Sequence, residues 1–73
     1  MIVTTIYELD GVLTDADTKK VKQLVYDVPN VGAVAFEITG AGTQMFIKHP
    51  EDATVERTAL AEAVSAAGSY RLL

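Results

Sequence analysis

Acidic and hydroxyl side chains are concentrated in one short segment near the start of the chain. The segment carries Asp10, Thr14, Asp15 and Asp17. Carboxylate oxygens are the ligands that Mg²⁺ and Ca²⁺ prefer, so Asp10 and Asp15 are candidates for a hard metal ion. Such ions take about six or more oxygen ligands, and the segment lacks the ligand spacing of a known calcium loop. The interpretation that we favour is negative charge placed at the start of a helix.

Cysteine is absent from the sequence. Its absence excludes disulfides, thiolate metal sites and cysteine nucleophiles together. Cu(I) and Hg(II) are soft ions that proteins hold with thiolates, and neither threonine nor aspartate replaces a thiolate in that role. We therefore expect no soft-metal site and no cofactor.

The other groups with catalytic potential are isolated from one another. His49 is the only histidine and precedes Pro50, which we interpret as part of an exposed loop. The glycines within residues 39–43 indicate a hairpin turn, because the lysine and hydroxyl of a phosphate-binding loop are missing. No hydroxyl side chain has a base predicted beside it. We expect no enzymatic activity.

Hydrophobic periodicity predicts six elements that would position these residues. Residues 2–9, 33–38, 43–48 and 70–73 have the patterns of strands. Two helices, the first from Thr14 to about Pro29 and the second from about Thr54, each bury one stripe. The stripes consist of Val21, Leu24, Val25 and Val28 in the first helix, and of Leu60, Ala63, Val64 and Ala67 in the second. The order βαββαβ predicts one α+β domain, residues 1–73, with a ferredoxin-like four-stranded antiparallel sheet and both helices on one face.

Thr14 and Asp17 have the spacing of a capping box at the start of the first helix. The Thr14 hydroxyl is expected to accept a hydrogen bond from a free amide of the first turn, a contact that stabilises a helix by roughly 0.5–2 kcal/mol. The pair therefore has a structural role available that needs no metal ion.

Several segments resemble the heavy-metal-associated domain of copper and mercury carriers. In that family a Gly-Met-x-Cys-x-x-Cys loop follows the first strand, and apolar residues lie four and eight positions after the second cysteine. Val21 and Val25 match those apolar positions, which places Asp17 at the second cysteine and Thr14 at the first. Further matches are Gly11 and Val12 to the family's glycine and methionine, residues 28–31 to its Leu-Pro-Gly-Val, residues 34–38 to its second strand, and residues 67–70 to its Ala-Gly-Tyr with one insertion. The resemblance implies the same fold with a metal loop that has lost its thiols.

The sheet face away from the helices is predicted to display an apolar patch. Alternation places Ile2, Thr4, Ile6, Ala33, Ala35 and Phe46 there, with Glu8, Glu37, Gln44 and Lys48 around them. An apolar patch with a polar rim is typical of a protein interface. We expect a protein partner or a homodimer to use this face or the first-loop end around Leu13, which is the end that metallochaperones of the resembled family use for docking.

Composition argues against other classes of partner. The net charge is −4 and the basic residues are dispersed, so nucleic-acid binding is not expected. No apolar segment approaches the ~20 residues of a membrane span, and no signal peptide is visible, so we expect a cytoplasmic protein without membrane contact.

The leading hypothesis is a non-enzymatic heavy-metal-associated-like module that acts through protein contacts. Two alternatives stay open. One is a metal-ion-binding protein with oxygen and nitrogen ligands around residues 10–17. The other is a small-ligand regulatory domain resembling the ACT type, which shares the βαββαβ topology.

Overall fold

The computed structural model describes residues 1–10, 13–40, 42–68 and 70–73. Its elements are β1 (Ile2–Asp10), α1 (Asp15–Tyr26), β2 (Ala33–Thr39), β3 (Gly42–Pro50), α2 (Arg57–Ala67) and β4 (Arg71–Leu72). The strands form one sheet in the order β2-β3-β1-β4, and each neighbouring pair is antiparallel. This architecture confirms the predicted α+β, ferredoxin-like βαββαβ arrangement.

Strict alternation along the two central strands separates a helix-covered face from an open face. Met45 and Ile47 of β3 are fully buried, whereas Phe46 between them is partly exposed and Lys48 after them is exposed. Leu9 of β1 is also buried, and the residues next to it in the strand are exposed. Because successive side chains of a strand point to opposite faces, each strand contributes one set to the core and the other set to the open face.

The core lies between the sheet and the two helices. Burying one valine, leucine, isoleucine or methionine side chain stabilises a fold by about 1.5–3 kcal/mol. Its buried apolar residues are Leu9, Leu13, Val21, Val25, Val28, Val34, Met45, Ile47, Val55, Leu60, Val64 and Leu72.

Helix α1 ends earlier than the periodicity predicts. Its last residue is Tyr26, and Asp27 forms the C-cap, although Val28 still packs in the core. Pro29 disfavours a helical conformation at the residue before it, which explains why the helix stops short of Val28. The chain then turns through Asn30, whose φ of 74° is in the left-handed region that asparagine tolerates better than most residues.

Helix α2 begins at Arg57, three residues later than the predicted start near Thr54. The preceding segment is extended because Val55 is buried in the core and the Asn30 side chain donates a hydrogen bond to the Thr54 carbonyl. Glu56 is the N-cap residue, and its side chain makes no capping hydrogen bond. Packing therefore decides this boundary against the local helix pattern.

One predicted core position is largely exposed. Ile38 follows the inward alternation of Val34 and Phe36, yet 39% of its surface is accessible. It lies near the end of β2, an edge strand with a neighbour on one side only.

None of the helices in the described part of the chain is long and apolar enough to cross a membrane.

Candidate functional site

The start of α1 is closed by a reciprocal pair of hydrogen bonds between Thr14 and Asp17. The Asp17 amide donates to the Thr14 hydroxyl at 3.2 Å, and the Thr14 amide donates to the Asp17 carboxylate at 3.0 Å. Thr14 has the extended backbone of an N-cap residue, with φ −83° and ψ 170°. This is the capping box that the spacing predicts. Thr14 and Asp17 together therefore form a helix cap.

Tyr70 extends this network from the other end of the chain. Its hydroxyl is hydrogen-bonded to the Asp17 carboxylate, and this contact, followed by the hydrogen bonds from Thr14, holds the pKa of Asp17 below its usual value of 3.8. The same hydrogen bond to Asp17 raises the pKa of Tyr70 above its usual 10.0. Hydrogen bonding to a carboxylate favours its charged form and disfavours loss of the donor's proton. Tyr70 was not predicted as a site residue, and its only signal in the sequence was the partial Ala-Gly-Tyr match.

Leu13 anchors the entry into this cap. Its side chain is only 3% exposed and belongs to the core, and its amide donates to the buried Thr43 hydroxyl at 3.1 Å. Docking through the loop end around Leu13 stays a prediction, but the buried Leu13 side chain itself offers little surface to a partner. A leucine between a loop and a capped helix packs inward because the core of so small a domain needs its apolar surface. Gly11 and Val12, the other family matches in this loop, lie outside the described residues.

The candidate hard-metal ligands do not converge. Asp10 lies 3.4 Å from the Arg71 guanidinium at the β1–β4 end, and both side chains are exposed. Asp15 is in the first turn of α1, where its carbonyl accepts a hydrogen bond from Thr18. Among residues 1–10, 13–40, 42–68 and 70–73, no group of three or more histidine, aspartate or glutamate side chains is arranged to hold a metal ion.

His49 occupies a different environment from the exposed loop that the sequence suggests. It lies in β3, is partly buried, and contacts the Thr5 hydroxyl through Nε2 at 3.1 Å. Its Nδ1 is 2.9 Å from the Pro50 carbonyl and 3.1 Å from the Ala53 carbonyl. Because carbonyl oxygens only accept hydrogen bonds, Nδ1 is the donor to them, and in the neutral imidazole Nε2 then accepts from the Thr5 hydroxyl. His49 therefore has a structural role in joining β3, β1 and the following turn.

The open sheet face has the apolar centre that alternation predicts. Ile2 and Ile6 are 61% and 58% exposed. Ile6 lies opposite Phe46 across the β1–β3 pair, and Phe46 lies opposite Ala35 across the β2–β3 pair. The register thus places these three side chains in one row at the middle of the face.

Comparison with known proteins finds a solved structure with a similar fold. No family model matches the chain, and no curated protein matches it. The NMR solution structure of a ZiaAN sub mutant has the same fold, with a TM-score of 0.68 and 14% sequence identity. The match covers 99% of this chain and 96% of that one. The chain is therefore a small ferredoxin-like α+β domain, and this shared fold agrees with the one that the heavy-metal-associated resemblance implies.

Proposed function

We propose that this chain is a non-enzymatic domain of the heavy-metal-associated type that has lost thiolate metal binding and acts through protein contacts. The observation that carries the proposal is the Thr14–Asp17 capping box, with its two hydrogen bonds of 3.0 and 3.2 Å. The sequence resemblance aligns these two residues with the cysteines of that family. In this proposal, a stabilising helix cap replaces the two-cysteine metal site of the family.

The chemistry of the side chains supports the loss of soft-metal binding. Thr14 offers a neutral hydroxyl and Asp17 a hard carboxylate, whereas Cu(I) and Hg(II) prefer soft sulfur ligands. Both side chains are also engaged already, Thr14 with the Asp17 amide and Asp17 with Thr14 and Tyr70. An incoming ion would have to displace these contacts and gain only hard donors in return.

The open sheet face is the surface that we assign to protein contact. Its central row of Ile6, Phe46 and Ala35 is apolar, and the surrounding positions carry charge, as interface patches commonly do. The first-loop end is a poorer candidate, because the large apolar side chain of Leu13 is turned into the core. The proposed contact therefore uses Ile2, Ile6, Ala35 and Phe46.

Metal titration followed by amide NMR tests the proposal. The wild-type chain should show no saturable shifts with Cu(I), Zn²⁺, Ca²⁺ or Mg²⁺ around residues 10–17. Thr14→Cys combined with Asp17→Cys should create a Cu(I) site that binds about one equivalent, since two thiolates at this spacing suit a soft ion. The engineered site would also verify the alignment with the family motif.

The matched control is Thr14→Ala combined with Asp17→Ala, which removes the cap without adding thiols. It should lose stability as the double cysteine variant does, but it should not bind Cu(I). Saturable, submicromolar shifts of the wild-type chain around residues 10–17 would contradict the proposal and would favour metal binding by oxygen and nitrogen ligands.

A further inference from the structure

The edges of the sheet offer little for pairing with another chain. The amide of Val34 in the edge strand β2 donates to the Tyr26 hydroxyl at 3.3 Å, so α1 covers part of that edge. The other edge strand, β4, has only two residues, Arg71 and Leu72. Covered and very short edge strands are the devices by which sheets avoid edge-to-edge association. We therefore consider the open face as the surface of the sheet for association.

The strand registers arrange the open face in three parallel rows of three side chains. Within each row, neighbouring residues lie directly opposite each other in adjacent strands. From one end of the face to the other, the rows are Thr4, Lys48 and Ala33, then Ile6, Phe46 and Ala35, then Glu8, Gln44 and Glu37. The middle row is apolar, one outer row has a positive charge, and the other outer row has two negative charges.

We propose that the open face docks on the same face of a second copy of this chain, with the strands of the two copies running antiparallel. The proposal rests on the proposed function, since it names the partner for the protein contact assigned there. In this arrangement the two-fold axis runs along the middle row. Ile6 and Phe46 then meet their counterparts, and Lys48 of each copy faces the acidic row of the other.

Charge decides between the two ways of stacking the faces. With the strands antiparallel, Lys48 reaches Glu37 of the second copy, and by symmetry this contact forms twice. With the strands parallel, Lys48 would lie over Lys48, and Glu8 would lie over Glu37 of the second copy. Juxtaposed like charges oppose association, whereas complementary charges fix the register of an interface.

The shape of the face agrees with the antiparallel arrangement. A shallow depression of about 100 Å³ lies beside β2 and is lined by Ala33, Val34, Ala35, Phe46 and Lys48. It exists because the β2 side chains on this face are small. The two-fold axis along the middle row brings Glu37 of the second copy over this depression, so its methylene groups fill the space and its carboxylate meets Lys48.

The size of the face makes the dimer weak and concentration-dependent. Three long strands spaced ~4.8 Å apart and rising ~3.3 Å per residue bury on the order of 1,000 Å² in total when two such faces stack. That area lies below the ~1,200–2,000 Å² of stable interfaces. The protein should therefore shift from monomer towards dimer as its concentration rises.

Sedimentation equilibrium of charge-swapped variants tests this arrangement, with protein concentrations that reach about 1 mM because the interface is small. Lys48→Glu and Glu37→Lys should each weaken self-association by about tenfold or more, since each places like charges together twice. An equimolar mixture of the two variants should form mixed dimers as readily as the wild type dimerises. One contact then pairs Glu at position 48 with Lys at position 37, and the other keeps the native Lys48–Glu37 pair.

The matched controls are Lys19→Glu in α1 and Glu62→Lys in α2, both at exposed positions of the helix layer. They change the net charge by the same amounts and should leave self-association unchanged. Amide NMR spectra of all four variants establish that the fold is retained.

Three results would overturn the proposal: a wild-type chain that stays monomeric at about 1 mM, single variants that still dimerise, and a mixture no more dimeric than its components. A monomeric chain whose open face binds a different protein would overturn the second copy as the occupant and leave the proposed function standing. The metal titration decides the loss of metal binding independently.

Discussion

The Tyr70 hydroxyl is hydrogen-bonded to the Asp17 carboxylate, and this contact joins the segment before β4 to the first turn of α1. The approach depends on Gly68, because a Cβ at that position would lie 2.9 Å from the Tyr70 ring. The capping box therefore belongs to a tertiary contact and not to the helix alone.

Replacing Tyr70 with Phe should raise the pKa of Asp17 towards its usual 3.8, because the Tyr70 hydroxyl is the largest cause of its lowering. The hydrogen bonds from the Thr14 amide and side chain to the Asp17 carboxylate remain, so the pKa of Asp17 should stay below that value. A carboxyl-carbon NMR titration of Asp17 measures the change. An unchanged Asp17 pKa in Tyr70→Phe would contradict the assigned contact.

The same pair predicts how stability depends on pH. The folded pKa of Asp17 lies below 3.8, so its contribution is fully present above pH 3.8 and is lost as the pH falls through the folded pKa. The folded pKa of Tyr70 lies above 10.0, so its contribution is fully present below pH 10.0 and is lost as the pH rises through the folded pKa. In urea unfolding, the difference in free energy of unfolding between wild type and Tyr70→Phe should be constant between pH 3.8 and pH 10.0 and should shrink outside this range.

Asn30 should tolerate glycine better than alanine. Its φ of 74° costs an L-residue such as alanine roughly 1–2 kcal/mol, whereas glycine adopts this conformation freely. Both substitutions also remove the hydrogen bond from the side chain to the Thr54 carbonyl. We expect Asn30→Ala to lower the free energy of unfolding by about 1–2 kcal/mol more than Asn30→Gly does. Equal losses in chemical denaturation would show that the backbone conformation is not what limits this position.

His49→Leu should destabilise the fold by about 1–3 kcal/mol, because it removes the His49 donor from the partly buried Ala53 carbonyl and leaves the Pro50 carbonyl with the Ala53 amide alone. Thr5→Val is the matched control, since it removes only the contact with Nε2 and suits a strand position. The smaller loss should therefore occur in Thr5→Val, as measured by urea unfolding. If His49→Leu were as stable as wild type, His49 would be the surface residue that its His-Pro context suggests.

Local patterns predicted the elements well. Alternation in β1 and β3 identified both the core set and the open face, and the register confirms the predicted proximity of Ile6 and Phe46. The capping box was readable because Thr14 and Asp17 are three residues apart and their geometry is that of a single helical turn. Periodicity was less reliable at element ends, as the late start of α2 shows, because packing of Val55 outweighs helix propensity there.

Residue types at short spacing were enough to predict the order of elements and the helix cap, and the composition alone shows that thiols are absent. Tertiary structure alone decided that Tyr70 contacts Asp17, that His49 is held by Thr5 and the turn after β3, and that Leu13 is buried. Thr5 and His49 are separated by 44 positions, and such contacts exist only once the chain is folded. Short-range spacing is visible in a sequence because backbone geometry is regular within an element, whereas long-range contacts depend on how the elements pack together.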